Sequence, residues 1–252
     1  MSGTRLPPQA PAKAIERRER LIVALDVASL GEAQAMVERL GESVRFYKIG
    51  LELATSGTYF ELLDWLVKRG AKVFADLKLY DIPETVRRAV ANLRSRGVSF
   101  LTVHAHRSIM QAAAAEKGEI RLLAVTVLTS FDQRDLDEMG ATMELGALVH
   151  ARARGALESG CDGVIASGHE APTLKAEFGS RLLVVTPGIR PAAEGRPSQK
   201  RPADDQKRTV DVAQALANGA DYIVVGRPIR DAADPRAAAE AFQATIAKAF
   251  PK

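Results

Sequence analysis

Asp76-Leu77-Lys78-Leu79-Tyr80-Asp81 sets two carboxylates around one ammonium, directly after the apolar run Val73-Phe74-Ala75. On a strand, residues i and i+2 share a face, so Asp76 and Lys78 are expected to point the same way from a strand end. Asp81 follows at Asp-Ile-Pro, where a helix should begin. A lysine between two acids is costly to bury unless it is paired or used. That grouping suits chemistry in which a fixed cation meets a developing negative charge and then gives up a proton.

The chain must hold such a group on something rigid. Eight short apolar runs recur, at 21–25, 44–49, 72–77, 99–104, 122–127, 163–166, 182–186 and 222–225. Their length suits strands, and their unbroken apolarity suits strands covered on both faces. Helical patterns fill the gaps. Ser29 and Glu32 have capping-box spacing ahead of 33–40, and further helices are expected over 59–69, 84–96, 144–159, 209–218 and 235–250. Strand–helix alternation over 252 residues predicts an α/β fold, a single (β/α)8 (TIM) barrel over 21–252. An open doubly wound sheet is the competing fold, weakened because no G-x-G-x-x-G fingerprint follows the first strand. Residues 1–20 read as a flexible lead-in or a short helix.

In such a barrel the active site lies at the C-terminal ends of the strands. The first strand ends at Leu25-Asp26, the second at Tyr47-Lys48-Ile49-Gly50, and the third at Asp76-Leu77-Lys78. Asp26, Lys48, Asp76 and Lys78 thus reach one rim with Asp81 nearby, where opposite charges would hold each other ionised. The fifth strand is followed by Thr129-Ser130, the seventh ends at Thr186-Pro187-Gly188, and the eighth is followed by Gly226-Arg227. Loops after the last two strands often bind phosphate in barrels, and an arginine fork matches phosphate oxygens. The irregular stretch 188–207, with three prolines, is long enough to read as a functional loop. His104 reads equally as a core histidine or a site member; His106, His150 and His169 have no partner pattern.

Other classes recede. The net charge is +4, but no Lys/Arg run with interleaved aromatics marks a nucleic-acid surface. No apolar run approaches the ~18 residues of a membrane span. The single Cys161 permits no internal disulfide, fits a reducing compartment, and reads as a buried structural thiol. No His/Cys/Asp/Glu set has transition-metal spacing, and neither a phosphate-cradling P-loop nor a serine nucleophile elbow occurs.

The run Phe74-Ala75-Asp76-Leu77-Lys78-Leu79-Tyr80-Asp81-Ile82-Pro83-Glu84-Thr85 resembles the Asp-x-Lys-x-x-Asp-Ile-Pro-x-Thr motif of the orotidine 5′-phosphate decarboxylase family. The resemblance extends through Leu25-Asp26, Tyr47-Lys48-Ile49-Gly50, Thr126-Val127-Leu128-Thr129-Ser130, Thr186-Pro187-Gly188-Ile189-Arg190, Asp205-Gln206-Lys207-Arg208 and Val225-Gly226-Arg227-Pro228. It departs after His104, where Ala105-His106-Arg107-Ser108 replaces the small glycine-rich residues of many relatives. The resemblance implies cytoplasmic conversion of orotidine 5′-monophosphate to uridine 5′-monophosphate without metal or organic cofactor. Lys78 would protonate C6 of the pyrimidine, Asp76 would sit beside the leaving CO2, and Lys48 and Asp26 would orient the network and hold the ribose. Asp81, Ile82 and Thr85 would reach into the partner's site of a homodimer. Ser130 and Pro187 would meet the base, while Gly226, Arg227 and Gln206 would clamp the phosphate, with Gln206 on a lid at 188–207. Two alternatives remain: a Mg2+-dependent sugar-phosphate decarboxylase or aldolase on the same barrel, and a non-catalytic nucleotide-binding barrel.

Overall fold

A computed structural model describes residues 15–190 and 207–251. Its centre is a closed parallel barrel of eight strands: β1 (Leu21–Ala24), β2 (Phe46–Gly50), β3 (Lys72–Leu79), β4 (Val98–His104), β5 (Arg121–Val125), β6 (Gly163–Ile165), β7 (Leu183–Thr186) and β8 (Tyr222–Val225). Each strand pairs with the next in sequence, and β8 closes on β1 through Leu21–Ile223, Ile22–Val224 and Val23–Val225. The expected barrel is therefore the observed one, and the open sheet is excluded.

Helices separate the strands: α1 (Leu30–Leu40), α2 (Leu51–Thr55), α3 (Tyr59–Lys68), α4 (Pro83–Leu93), α5 (Arg107–Glu116), α6 (Gln133–Glu138), α7 (Leu145–Glu158), α8 (Ala171–Phe178), α9 (Val212–Ala217), α10 (Arg227–Arg230) and α11 (Pro235–Ala249). Ser29 caps α1 as expected, its Oγ accepting from the Glu32 N–H. The box is not reciprocal, because the Glu32 carboxylate accepts from Ala28 N–H instead. The helix expected at 209–218 begins only at Val212. Val210–Asp211 is drawn into a short parallel pairing with Ile189–Arg190, and Asp211 caps the helix from outside. The helix expected at 84–96 runs Pro83–Leu93, since proline's fixed φ suits the first helical position. Gly97 ends the following turn at φ 74°, and a Cβ there would lie 2.8 Å from a Val67 methyl.

The strands read as unbroken apolar runs because their two faces bury against different partners. Leu21, Val23 and Leu25 pack outward among the helices, whereas Ile22 and Ala24 point into the barrel with Phe46, Phe74, Phe100, Leu123 and Tyr222. Inside, Phe100 meets Phe46 at 4.9 Å, Tyr222 at 5.0 Å and Phe74 at 5.9 Å between ring centroids, all edge to face. Each such pair adds about 0.5–1.5 kcal/mol beyond its buried area. One step further along the strands, that inward face carries charge: Asp26 follows Ala24, Lys48 follows Phe46, and Asp76 follows Phe74. The lower mouth is covered by the turn Arg17–Arg20, where the Arg20 guanidinium lies 3.7 Å from the Phe250 ring centre and donates to Asp221 O.

Candidate active site

A cleft of about 580 Å3 opens at the C-terminal ends of the strands, floored by Phe74. Of the residues singled out from the sequence, Asp26, Lys48, Asp76, Lys78, Ser130, Pro187, Gly226 and Arg227 all border it. Asp81, Ile82 and Thr85 do not. They are exposed on the approach to α4 and in its first turn, where the Asp81 carboxylate accepts from the Ile82 N–H at 2.6 Å. Gln206 lies outside the described residues, as do 191–206 of the expected lid. The stretch leaving that segment is tied down: Lys207 pairs with Asp132 and Asp135, and Arg208 pairs with Glu170 and donates to the carbonyls of Val127 and Leu128.

The four inner charges form one chain. Lys48 Nζ lies 2.8 Å from Asp26 Oδ1 and 3.6 Å from Asp76 Oδ2, and Lys78 Nζ lies 2.8 Å from the same Asp76 Oδ2. The Asp76 and Lys48 side chains are only 11% and 12% exposed, while Lys78 is 30% exposed and faces the cleft. Burial pushes the Asp76 carboxyl up, but Lys48, Lys78 and a Thr102 hydroxyl outweigh it and hold it below its ordinary value. Burial likewise pulls Lys48 down, and Asp76 and Asp26 more than reverse it. Asp76 and Lys48 are thus fixed in their charged forms in a low-dielectric layer above an aromatic floor, where electrostatic effects are strong.

The side-chain meeting of Asp76 and Lys78 does not come from plain strand alternation. β3 bulges against β4 at this point, and Lys78 has φ 47°, the left-handed region. Strand spacing therefore named the right pair for an incomplete reason: the backbone is bent so that Lys78 folds back on Asp76.

Three neighbours have no role assigned from the sequence, although Gly50 stands there at the end of the second strand. Thr102, on β4, donates to Asp76 and accepts from Lys78 N–H. Arg230, one turn beyond Arg227 on α10, donates to the backbone carbonyl of Asp26. Gly50 leaves room for the ammonium, since a Cβ there would lie 3.3 Å from Lys48 Nζ. Of these, Gly50 carried a visible signal, two residues after a strand-end lysine; the other two depend on contacts across the barrel. His104 stands outside the cleft, its ring 5.2 Å from that of Tyr80. Burial and then Lys78 push its pKa below the ordinary histidine value. Burial raises the Cys161 thiol to about 12, consistent with an inert structural role. Among the described residues no group of three or more His, Cys, Asp and Glu is arranged to hold a metal, and no helix is long and apolar enough to cross a membrane.

A closed parallel barrel with a buried acid–base chain at the C-terminal ends of its strands defines an enzyme of the (β/α)8 class. Within that class the chain belongs to the orotidine 5′-phosphate decarboxylase / HUMPS family, whose sequence profile matches residues 19–242. It is 56% identical over 238 residues to the orotidine 5′-phosphate decarboxylase of Methylococcus capsulatus, spanning 94% of this chain and 96% of that one. The corresponding enzyme of Xanthomonas campestris is 54% identical over 238 residues, spanning 94% and 95%. The crystal structure of orotidine 5′-phosphate decarboxylase from Lactobacillus acidophilus superposes with a TM-score of 0.77 at 34% identity, covering 90% of this chain and 99% of that one.

Proposed function

We propose that this cleft removes CO2 from orotidine 5′-phosphate to give uridine 5′-phosphate, the closing step of pyrimidine nucleotide synthesis. The observation that carries the assignment is the alternating chain Asp26–Lys48–Asp76–Lys78, with Lys78 at its open end. Breaking the bond from C6 to the carboxylate leaves the electron pair on C6, as a carbanion with little resonance help. The Lys78 ammonium stabilises that charge as it develops and then transfers one proton from Nζ to C6; a solvent proton restores it. Asp76 faces the departing carboxylate and keeps its own charge, since protonating it would cost the pairing with Lys48 and Lys78.

The remaining residues position the substrate in this reading. Asp26 and Lys48 hold the ribose, Ser130 and Pro187 flank the pyrimidine, and Gly226 and Arg227 take the phosphate together with Gln206. Phosphate binding remote from the reacting carbon supplies the energy that holds the base against Lys78. Asp81, Ile82 and Thr85 complete the neighbouring cleft in a homodimer, a role supported by their exposure and by the exposed apolar surface of Tyr80 and Ile82, 66% and 67% accessible. In this reading the charge stabilisation is assigned to Lys78, and no step is routed through a metal.

Release of CO2 from carboxyl-labelled orotidine 5′-phosphate tests the reading; binding of the nucleotide without release would reduce the protein to a nucleotide-binding barrel. Arg227→Ala is expected to raise KM for orotidine 5′-phosphate on the order of 10- to 100-fold, the worth of charge-assisted hydrogen bonds. It should leave the slow turnover of phosphate-free orotidine unchanged. Steady-state kinetics with both substrates check this, and unaltered kinetics with the nucleotide would remove Arg227 from the phosphate site.

A further inference from the structure

The β3–β4 seam shifts register twice, between Val73 and Phe74 and again between Ala75 and Leu79, and the second shift lies at the site. Ala75 pairs with Leu101, and the next pair is Leu79 with Val103. Asp76, Leu77 and Lys78 therefore stand opposite the single residue Thr102, and residues in such a bulge lose their ladder partners. Lys78 is, among the described residues, the only non-glycine with positive φ, at 47°. That conformation crowds Cβ against the backbone and persists only where the surroundings impose it.

Thr102 is what the surroundings supply. It is fully buried, on the same inward face as Phe100, and its hydroxyl works in both directions. The oxygen accepts the bulged Lys78 N–H at 2.9 Å, and its one proton goes to Asp76 Oδ1, also at 2.9 Å. Holding Oδ1 turns Oδ2 toward Lys48 and Lys78, the two ammonium groups it meets. One hydroxyl thus fixes both the backbone of Lys78 and the rotation of the Asp76 carboxylate. Thr102 does not border the cleft, so it has no direct part in substrate contact.

We propose that Thr102 is a positioning residue for the decarboxylation, holding the left-handed backbone of Lys78 and the orientation of Asp76 so that the ammonium meets the reacting carbon. The proposal rests on Lys78 being the proton donor. β-branching limits the hydroxyl to few rotamers and helps keep it on both partners.

Thr102→Val keeps the shape and removes the hydroxyl. It is expected to lower kcat about 10- to 100-fold, the consequence of unpaired groups beside the reacting centre, with KM for orotidine 5′-phosphate within about threefold of wild type. The groups facing Asp76 are Lys48, Lys78, Tyr59 and His104, with Asp26 beyond Lys48. Losing the Thr102 hydrogen bond disfavours the charged carboxylate, so the acid limb of the kcat profile moves to higher pH. Thr102→Ser returns the hydroxyl and should recover most of kcat and the original acid limb. Wild-type turnover is measured alongside, so an inactive wild type would indict the underlying reading rather than Thr102. Valine with wild-type kcat and pH profile, or serine as impaired as valine, would overturn the proposal. If the valine variant does not fold, folded Thr102→Ala and Thr102→Ser are compared: a tenfold or greater kcat deficit in alanine alone supports it, and equal kcat overturns it.

Discussion

Lys78→Ala is expected to lower turnover of orotidine 5′-phosphate on the order of 10⁴-fold or more, because one substitution removes both the charge that stabilises the C6 carbanion and the proton that quenches it. The effect should fall on kcat. Uridine 5′-phosphate should still bind within about tenfold of wild type, since base, ribose and phosphate contacts lie elsewhere in the cleft. The fold should survive, because Asp76 keeps Lys48 at 3.6 Å and the Thr102 hydrogen bond. Ultraviolet kinetics, product calorimetry and a thermal melt read these three quantities separately. Turnover within tenfold of wild type would remove Lys78 from the chemistry.

Mixing two inactive variants should restore activity. Asp81 is exposed, bonds its own helix start, and does not border the cleft of its own chain, although it belongs to the same motif as Asp76 and Lys78. If it serves the neighbouring cleft, a dimer of one Lys78→Ala chain and one Asp81→Asn chain contains one doubly damaged site and one intact site. Random reassortment makes half the dimers mixed, so roughly a quarter of wild-type activity should return from two preparations that have almost none alone. Dissociating, mixing and refolding the two, then assaying turnover, checks this. No recovery from a mixture shown to contain mixed dimers would mean that Asp81 acts within its own chain or not at all.

The barrel was legible because a doubly covered strand leaves a plain trace, an unbroken apolar run of about five residues, and there were eight of them. The site's charged members were legible because they end those runs. Less visible were helices without a strong start signal: α5 follows His106 with no side-chain cap, and α8 and α10 are short with proline in the first turn. The helix at 209–218 was over-extended because Val210 and Asp211 are claimed by a pairing with residues some twenty positions earlier. The largest omission was Thr102. Nothing in Phe100-Leu101-Thr102-Val103 distinguishes it from an ordinary strand threonine, and its importance arises only when β3 bulges opposite it. The left-handed φ of Lys78 is equally silent, since lysine shows no preference for that region.

The most direct measurement is the ultraviolet spectrum of orotidine 5′-phosphate mixed with purified protein, with EDTA present and no metal added. Loss of the substrate band with uridine 5′-phosphate and CO2 formed in equal amounts is the expected result, and it should be unaffected by adding Mg2+. An unchanged band with folded protein, joined to turnover of a sugar phosphate only when Mg2+ is supplied, would contradict it and assign the lysine–carboxylate chain to the other chemistry of the family.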